Sequence, residues 1–262
     1  MSSEFASSDP TGKRPWVPDW ARHLRDIYRE RRRRHIESKL LALSGGRVLS
    51  GPFKGMTYVP NTVNSALGPK LLGSYEMELH AVVESIIAGR FECLINIGAA
   101  EGYYAVGLLT RCSSSRVVAF ESSVRGRRLL SQLASANRVG GRLEIRGRCG
   151  LAELVDVLRD GQNTAVVCDI EGAEQEVLDP TCVPQLRHAT VLVELHEFKR
   201  PGVSTLIKQR FSASHHVRII GTTGRQIHEL PTIRLPERVV LDLAAEHRPA
   251  RMEWLWLTPS VS

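Results

Sequence analysis

From residue 91 onward, short apolar runs alternate with amphipathic stretches. Cys93–Ile97, Arg116–Phe120, Leu143–Arg146, Ala165–Cys168, Thr190–Leu195, His216–Ile220 and Met252–Leu257 read as strands. Between the first five, apolar residues recur every three or four positions, which predicts helices over Tyr103–Arg111, Gly126–Arg138, Leu151–Arg159 and Ala173–Leu186. A further helix, Ser204–Arg210, precedes the sixth strand. This alternation predicts an α/β fold: a seven-stranded, mostly parallel sheet with helices on both faces. The unbroken apolar run Val191-Leu192-Val193 suits a central strand buried on both sides. No long helix separates the last two strands, so an antiparallel pair at one edge is expected. Trp254 and Trp256 alternate on one face of the final strand and read as core.

Upstream the pattern changes. A helix is expected over residues 19–43, stopped by Gly45-Gly46. Val48–Ser50 and Met56–Val59 read as two strands of a hairpin around Gly51–Gly55, residues 61–73 as a loop, and Tyr75–Ala88 as a helix. Residues 1–15, rich in Ser, Gly and Pro, are expected to be disordered. Two parts result: an N-terminal extension over 1–73 and a ligand-binding α/β domain over 74–262.

Composition narrows the class. The 262 residues are 42% hydrophobic and 24% charged, ordinary for one soluble α/β domain with appendages. No uncharged stretch is long enough to span a bilayer, and the start lacks a signal-peptide pattern. Five cysteines, an odd number without CxxC spacing, argue against a disulfide framework or zinc ribbon and fit a reducing, cytoplasmic setting. The net charge of +7 suggests an anionic partner, but the first 40 residues hold ten Lys/Arg against six Asp/Glu. Much of the excess is the run Arg29-Glu30-Arg31-Arg32-Arg33-Arg34, either a solvated helix face or a dock for nucleic acid or an anionic membrane. No aromatic residue interleaves with these arginines to stack bases.

The sharpest local feature is Leu94-Ile95-Asn96-Ile97-Gly98-Ala99-Ala100-Glu101-Gly102-Tyr103-Tyr104. An apolar strand runs into small residues and then a helix, so a ligand can approach the backbone and meet unpaired N–H groups. The spacing is G-x-x-x-G, not the G-x-G-x-x-G of a dinucleotide cradle, and no P-loop pattern occurs. Glu121 closes the next strand about twenty residues on, where a carboxylate can accept both hydroxyls of a ribose.

This segment resembles motif I of class I S-adenosylmethionine-dependent methyltransferases and, more narrowly, the FkbM family. That family carries Asp-x-Gly-Ala-Asn-x-Gly-Tyr; here it reads Asn96-Ile97-Gly98-Ala99-Ala100-Glu101-Gly102-Tyr103. The later family element Asp-x-Glu-Gly-x-Glu is matched by Asp169-Ile170-Glu171-Gly172-Ala173-Glu174, and an apolar strand ending Glu-x-His by Val193-Glu194-Leu195-His196. Glu121-Ser122 stands where the family has Glu-Pro, and Asn137 matches an Asn after the second helix. The resemblance spans about residues 74–258. It implies a Rossmann-like fold, S-adenosylmethionine as methyl donor, and a small-molecule or sugar hydroxyl as acceptor. The donor site it implies comprises Glu76, Asn96, Gly98, Ala99, Glu101, Gly102, Tyr103, Glu121, Ser122 and Asp169. Asn96 and Ala100 depart from the family's Asp and Asn, leaving Glu101 or Glu76 to supply charge to the donor's amine.

For the chemistry, Asp169 is expected beside the methyl donor, His196 as general base because imidazole titrates near neutrality, and Glu171 as the second candidate. Glu171 and Glu174 also read as acids complementing a helix N-terminus, and His196 as a histidine bonding a strand-end carbonyl. Asp169, Glu171, Glu194 and His196 could instead form an oxygen-rich divalent metal site. Competing functions are a nucleic-acid methyltransferase anchored by the arginine run and a non-catalytic binding module. A nicotinamide oxidoreductase is disfavoured by the glycine spacing and by the lack of a Tyr-x-x-x-Lys pair.

Overall fold

A computed structural model describes residues 19–60, 62, 66–159 and 161–260. The expected disorder of residues 1–15 lies outside them. The helices are α1 (Asp19–Leu43), α2 (Leu67–Leu72), α3 (His80–Ala88), α4 (Tyr103–Arg111), α5 (Val124–Ala136), α6 (Leu151–Val157), α7 (Glu174–Val177), α8 (Val203–Phe211) and α9 (Glu237–Ala244). The strands are β1 (Cys93–Ile97), β2 (Arg116–Phe120), β3 (Leu143–Arg146), β4 (Thr164–Cys168), β5 (Thr190–Leu195), β6 (His215–Gly221) and β7 (Glu253–Pro259).

The strands form one seven-stranded sheet in the order β3-β2-β1-β4-β5-β7-β6. The first five in that order are parallel, and β7 runs antiparallel to both β5 and β6. This is the Rossmann-like sheet the motifs imply, including the expected antiparallel edge. Side chains alternate across it, as a strand's two-residue period requires. Leu94, Val167 and Leu192 face a layer with α3, α4, α5 and α9, whereas Ile95, Val166 and Val193 face a layer with α6, α7 and α8. Trp254 is fully buried in the first layer, with Trp256 packed against it.

The sheet order reverses direction between β1 and β4. Chain leaving β1 turns to one face and chain leaving β4 to the other, which opens a crevice at their carboxyl ends.

Three expectations change upstream, and two in the α/β domain. The hairpin reduces to a single antiparallel bridge, Arg47 to Thr57. Val48, Phe53 and Met56 sink into the core, and the Leu49 N–H bonds the Leu71 carbonyl instead of a partner strand (2.8 Å). Asn137 ties this segment to the end of α5, accepting from the Thr57 N–H (2.9 Å) and donating to its carbonyl (2.8 Å). The loop over 61–73 contains α2, buried throughout and ended by left-handed Gly73. The helix expected from Tyr75 is cut off at Glu76, whose φ is 46°; a 3₁₀ turn over Met77–Leu79 then leads into α3 at His80. The helix expected over Ala173–Leu186 is one turn, α7, since Pro180 and Pro184 cannot continue it. The unforeseen α9 begins directly after Pro236.

Candidate active site

The crevice is a cavity of about 790 Å³. One wall carries Gly98, Ala100, Phe120, Glu121, Ser122 and Arg125; the other carries Asp169, Glu171, Glu194, His196, Lys199 and Arg248.

The first wall is built from backbone. β1 ends in Gly98, whose φ is 82°. A Cβ there would collide with the Asp169 carbonyl, so only glycine lets β1 and β4 end side by side. The Gly98 and Ala99 N–H groups both donate to the Phe120 carbonyl at 2.9 Å. Glu121 then locks the turn: its Oε2 accepts from the Ala100 N–H at 2.8 Å and its Oε1 from the Ser123 N–H at 2.7 Å. Gly126, in the first turn of α5, leaves room for this carboxylate; a Cβ would lie 2.7 Å from Glu121 Cγ. The locked carboxylate borders the cavity and keeps lone pairs for a ligand's hydroxyls.

Several expected donor-site residues stand behind this wall. Ala99, Gly102 and Tyr103 do not line the cavity; Tyr103 is packed edge-to-face against Phe53 and Tyr75. Asn96 is buried, donates to the Val167 carbonyl (3.3 Å), and lies outside the lining. Glu101 is fully buried, accepts from the Tyr58 hydroxyl at 2.6 Å, and pairs with Lys70. Lys70, from buried α2, is the member of that pair that borders the cavity, 4.8 Å from the Tyr75 ring. Glu76 is turned away into bonds with Tyr104 and Arg248. Neither Glu101 nor Glu76 is therefore brought to the cavity surface, whereas Gly98, Glu121, Ser122 and Asp169 are.

The second wall is built from side chains. His196 leaves the end of β5 almost fully buried, with Nδ1 2.7 Å from Glu174 Oε1. Its Nε2 faces Asp169 Oδ1 at 3.7 Å and Glu171 Oε2 at 3.5 Å. Burial disfavours a charged imidazole, but the Glu174 bond and the Asp169 and Glu171 carboxylates outweigh it and raise His196 above its ordinary range. Glu174 is held low despite burial by the His196 and Gly172 N–H bonds. Desolvation and the nearby Glu76, Glu171 and Glu174 charges push Asp169 up to about 6. Asp169 Oδ1 and Glu174 Oε2 are shut off from solvent without a hydrogen-bond partner. Ligand atoms of Asp169, Glu174 and His196 lie within 4.8 Å of one another, a separation that could seat a metal ion. Glu194, foreseen as a fourth ligand, faces Arg248 instead.

Arg248 was not legible as a site residue. It reaches Glu76 Oε1 (2.6 Å), Glu246 Oε2 (2.7 Å) and Glu194, with its guanidinium 5.0 Å from the Trp254 ring. Arg225 extends the network through Glu246 (2.5 Å) and Glu78 (2.7 Å). Burial, together with Asp169 and Glu76, pushes Glu194 upward against the pull of Arg248. Arg248 and Glu76 lie 172 positions apart, which leaves no local spacing to read. Strain collects in the same place: Glu76, Ala100, Glu171 and His247 are four of the six described non-glycine residues with positive φ.

No family model matches this sequence, and no curated protein matches it. Among solved structures, the chain is similar to a putative O-methyltransferase from Klebsiella pneumoniae at 8% identity, covering 85% of this chain and 90% of that one, with a TM-score of 0.47. It is similar to an O-methyltransferase from Bacillus cereus in complex with SAH (11% identity, 68% and 79% covered, TM-score 0.47). It is also similar to the O-methyltransferase TomG from Streptomyces achromogenes, in complex with SAM (15% identity, 72% and 83% covered, TM-score 0.47).

Proposed function

We propose that the protein is an S-adenosylmethionine-dependent methyltransferase acting on a hydroxyl of a small molecule or sugar. The observation that carries this reading is Glu121: a carboxylate at the end of β2, fixed by the glycine turn and bordering the cavity beside Gly98. In that position it accepts the hydroxyls of an adenosine ribose, and Gly98 lets the ligand lie against the backbone. The G-x-x-x-G spacing lacks a pyrophosphate cradle, which favours the methyl donor over a dinucleotide.

Methyl transfer from a sulfonium needs alignment and the exclusion of water. A hydroxyl acceptor must also lose a proton. Glu174 holds His196 by Nδ1 and leaves Nε2 facing Asp169 and Glu171 at the cavity. A buried carboxylate behind an imidazole stabilises the imidazolium that forms when Nε2 takes the acceptor's proton. Asp169, beside the glycine turn, positions donor and acceptor.

A second reading places a divalent cation among Asp169, Glu174 and His196, favoured by the two unpartnered oxygens Asp169 Oδ1 and Glu174 Oε2. The cation would acidify a bound hydroxyl, and His196 would be its ligand instead of the base. Turnover that survives exhaustive chelation supports the base; turnover restored only by added Mn²⁺ or Mg²⁺ supports the cation.

Calorimetric titration with S-adenosylmethionine and with NADH tests the reading as a whole. The methyl donor should bind and NADH should not. Binding of NADH alone overturns it.

A further inference from the structure

Helix α1 carries two apolar stripes that point in different directions. Ile36 and Leu40 anchor its second half on the body, Leu40 fully buried in the core. In its first half, Trp20 is 68%, Leu24 57% and Tyr28 69% exposed, with Ile27 beside them. At about 100° per residue these four positions fall within an arc of about 100°, centred roughly 150° from the Ile36–Leu40 line. The stripe that docks α1 on the protein therefore turns the other stripe outward, and the chain's own core cannot cover it.

The same outward side is basic. Arg31 and Arg34 fall within or at the edge of that arc, Arg31 through Arg34 are all exposed, and no Asp or Glu position of the helix lies inside it. A stripe bearing Trp and Tyr, continued by arginines and free of acids, has the make-up of a helix that lies in the interface of an anionic bilayer. A second copy fits it less well. Parallel pairing sets arginine run beside arginine run, and antiparallel pairing lays the arginines over the partner's apolar side chains. No described helix is long and apolar enough to cross a membrane, so the contact is peripheral.

We infer that α1 docks the protein on an anionic lipid surface through Trp20, Leu24, Ile27 and Tyr28, with Arg31 and Arg34, on the same side, beside the lipid headgroups. Arg32 and Arg33 lie toward the body instead, lining a groove with Ile36 and Glu37. The inference is independent of the methyl-transfer reading.

The test is co-sedimentation of the full chain with phosphatidylcholine vesicles and with vesicles that also contain phosphatidylglycerol, at low and high salt. Binding should require the anionic lipid and weaken by at least about tenfold at high salt. Replacing Arg31 and Arg34 by Gln should weaken it by about tenfold or more. The double variant Leu24→Ser, Tyr28→Ser should weaken it by about tenfold or more while leaving the melting temperature unchanged, since both side chains are exposed. Absent or lipid-indifferent binding overturns the inference. So does light scattering that shows a dimer dissociated by the double Ser variant. RNA binding that persists in that variant, without vesicle binding, also overturns it.

Discussion

The two walls of the cavity are made in opposite ways. The wall at Gly98 and Glu121 is backbone, drawn from residues 98–126 and closed by N–H bonds to one carboxylate. The wall at His196 and Arg248 is side chain, with partners up to 172 positions apart: Arg248 reaches back to Glu76 and carries carboxylates from three separate segments. The first wall depends on small residues that permit a close approach. The second depends on charge balance in a place where water cannot screen it. A backbone wall suits a ligand with a fixed shape, and a wall of coupled side chains suits moving a proton.

The largest effect that would break this contrast is at Arg248. In Arg248→Ala, Glu76 and Glu194 lose their guanidinium while still buried, and stability should fall by about 3–5 kcal/mol. Urea denaturation measures it. Both carboxylates are already shifted up by burial, so the folded variant holds protons that the unfolded chain releases. The loss should therefore be smallest near pH 4 and keep growing as the pH rises through neutrality into the alkaline range, where Glu194, pushed up to about 10, ionises. A loss independent of pH would mean that Arg248 acts through packing on Trp254.

The backbone wall should fail differently. Gly98→Ala sets a Cβ against the Asp169 carbonyl at a positive φ, and should cost about 3 kcal/mol at every pH. Ala100 offers the smallest effect, with the opposite sign. It carries a φ of 49° beside the same turn, so Ala100→Gly should stabilise by about 1 kcal/mol, provided the Glu121 bond to its N–H persists. Thermal unfolding resolves both, and a destabilising Ala100→Gly would show that the turn is not strained.

The same contrast explains what the sequence revealed. The limits of β1, β2, β5 and α4 follow from continuous apolar runs and a three-to-four residue period, because each buries one contiguous stretch, whereas edge strand β3 was legible from the alternation Leu143-Glu144-Ile145-Arg146. The glycine turn was legible for the same local reason, and so was the grouping of Asp169, Glu171 and His196 at neighbouring strand ends. The rest was decided by tertiary partners. Glu101 reads as a ligand-facing acid until Lys70 and Tyr58, from the segment over 47–72, claim it in the core. Nothing near Arg248 announces that it will meet Glu76. The hairpin around Gly51–Gly55 does pair its two segments, the Val48 N–H bonding the Met56 carbonyl at 3.0 Å, but the pairing ends at one bridge because both side chains and Phe53 turn into the core.

The division of labour between the walls is tested most directly by titrating S-adenosylmethionine into the wild type, Glu121→Ala and His196→Ala. The wild type should bind, and Glu121→Ala should bind at least about tenfold more weakly, a loss of roughly 1.4 kcal/mol. His196→Ala should bind within about twofold of the wild type, since it lies on the wall assigned to the acceptor. Undiminished binding by Glu121→Ala, with binding lost in His196→Ala, would contradict the assignment of the two walls.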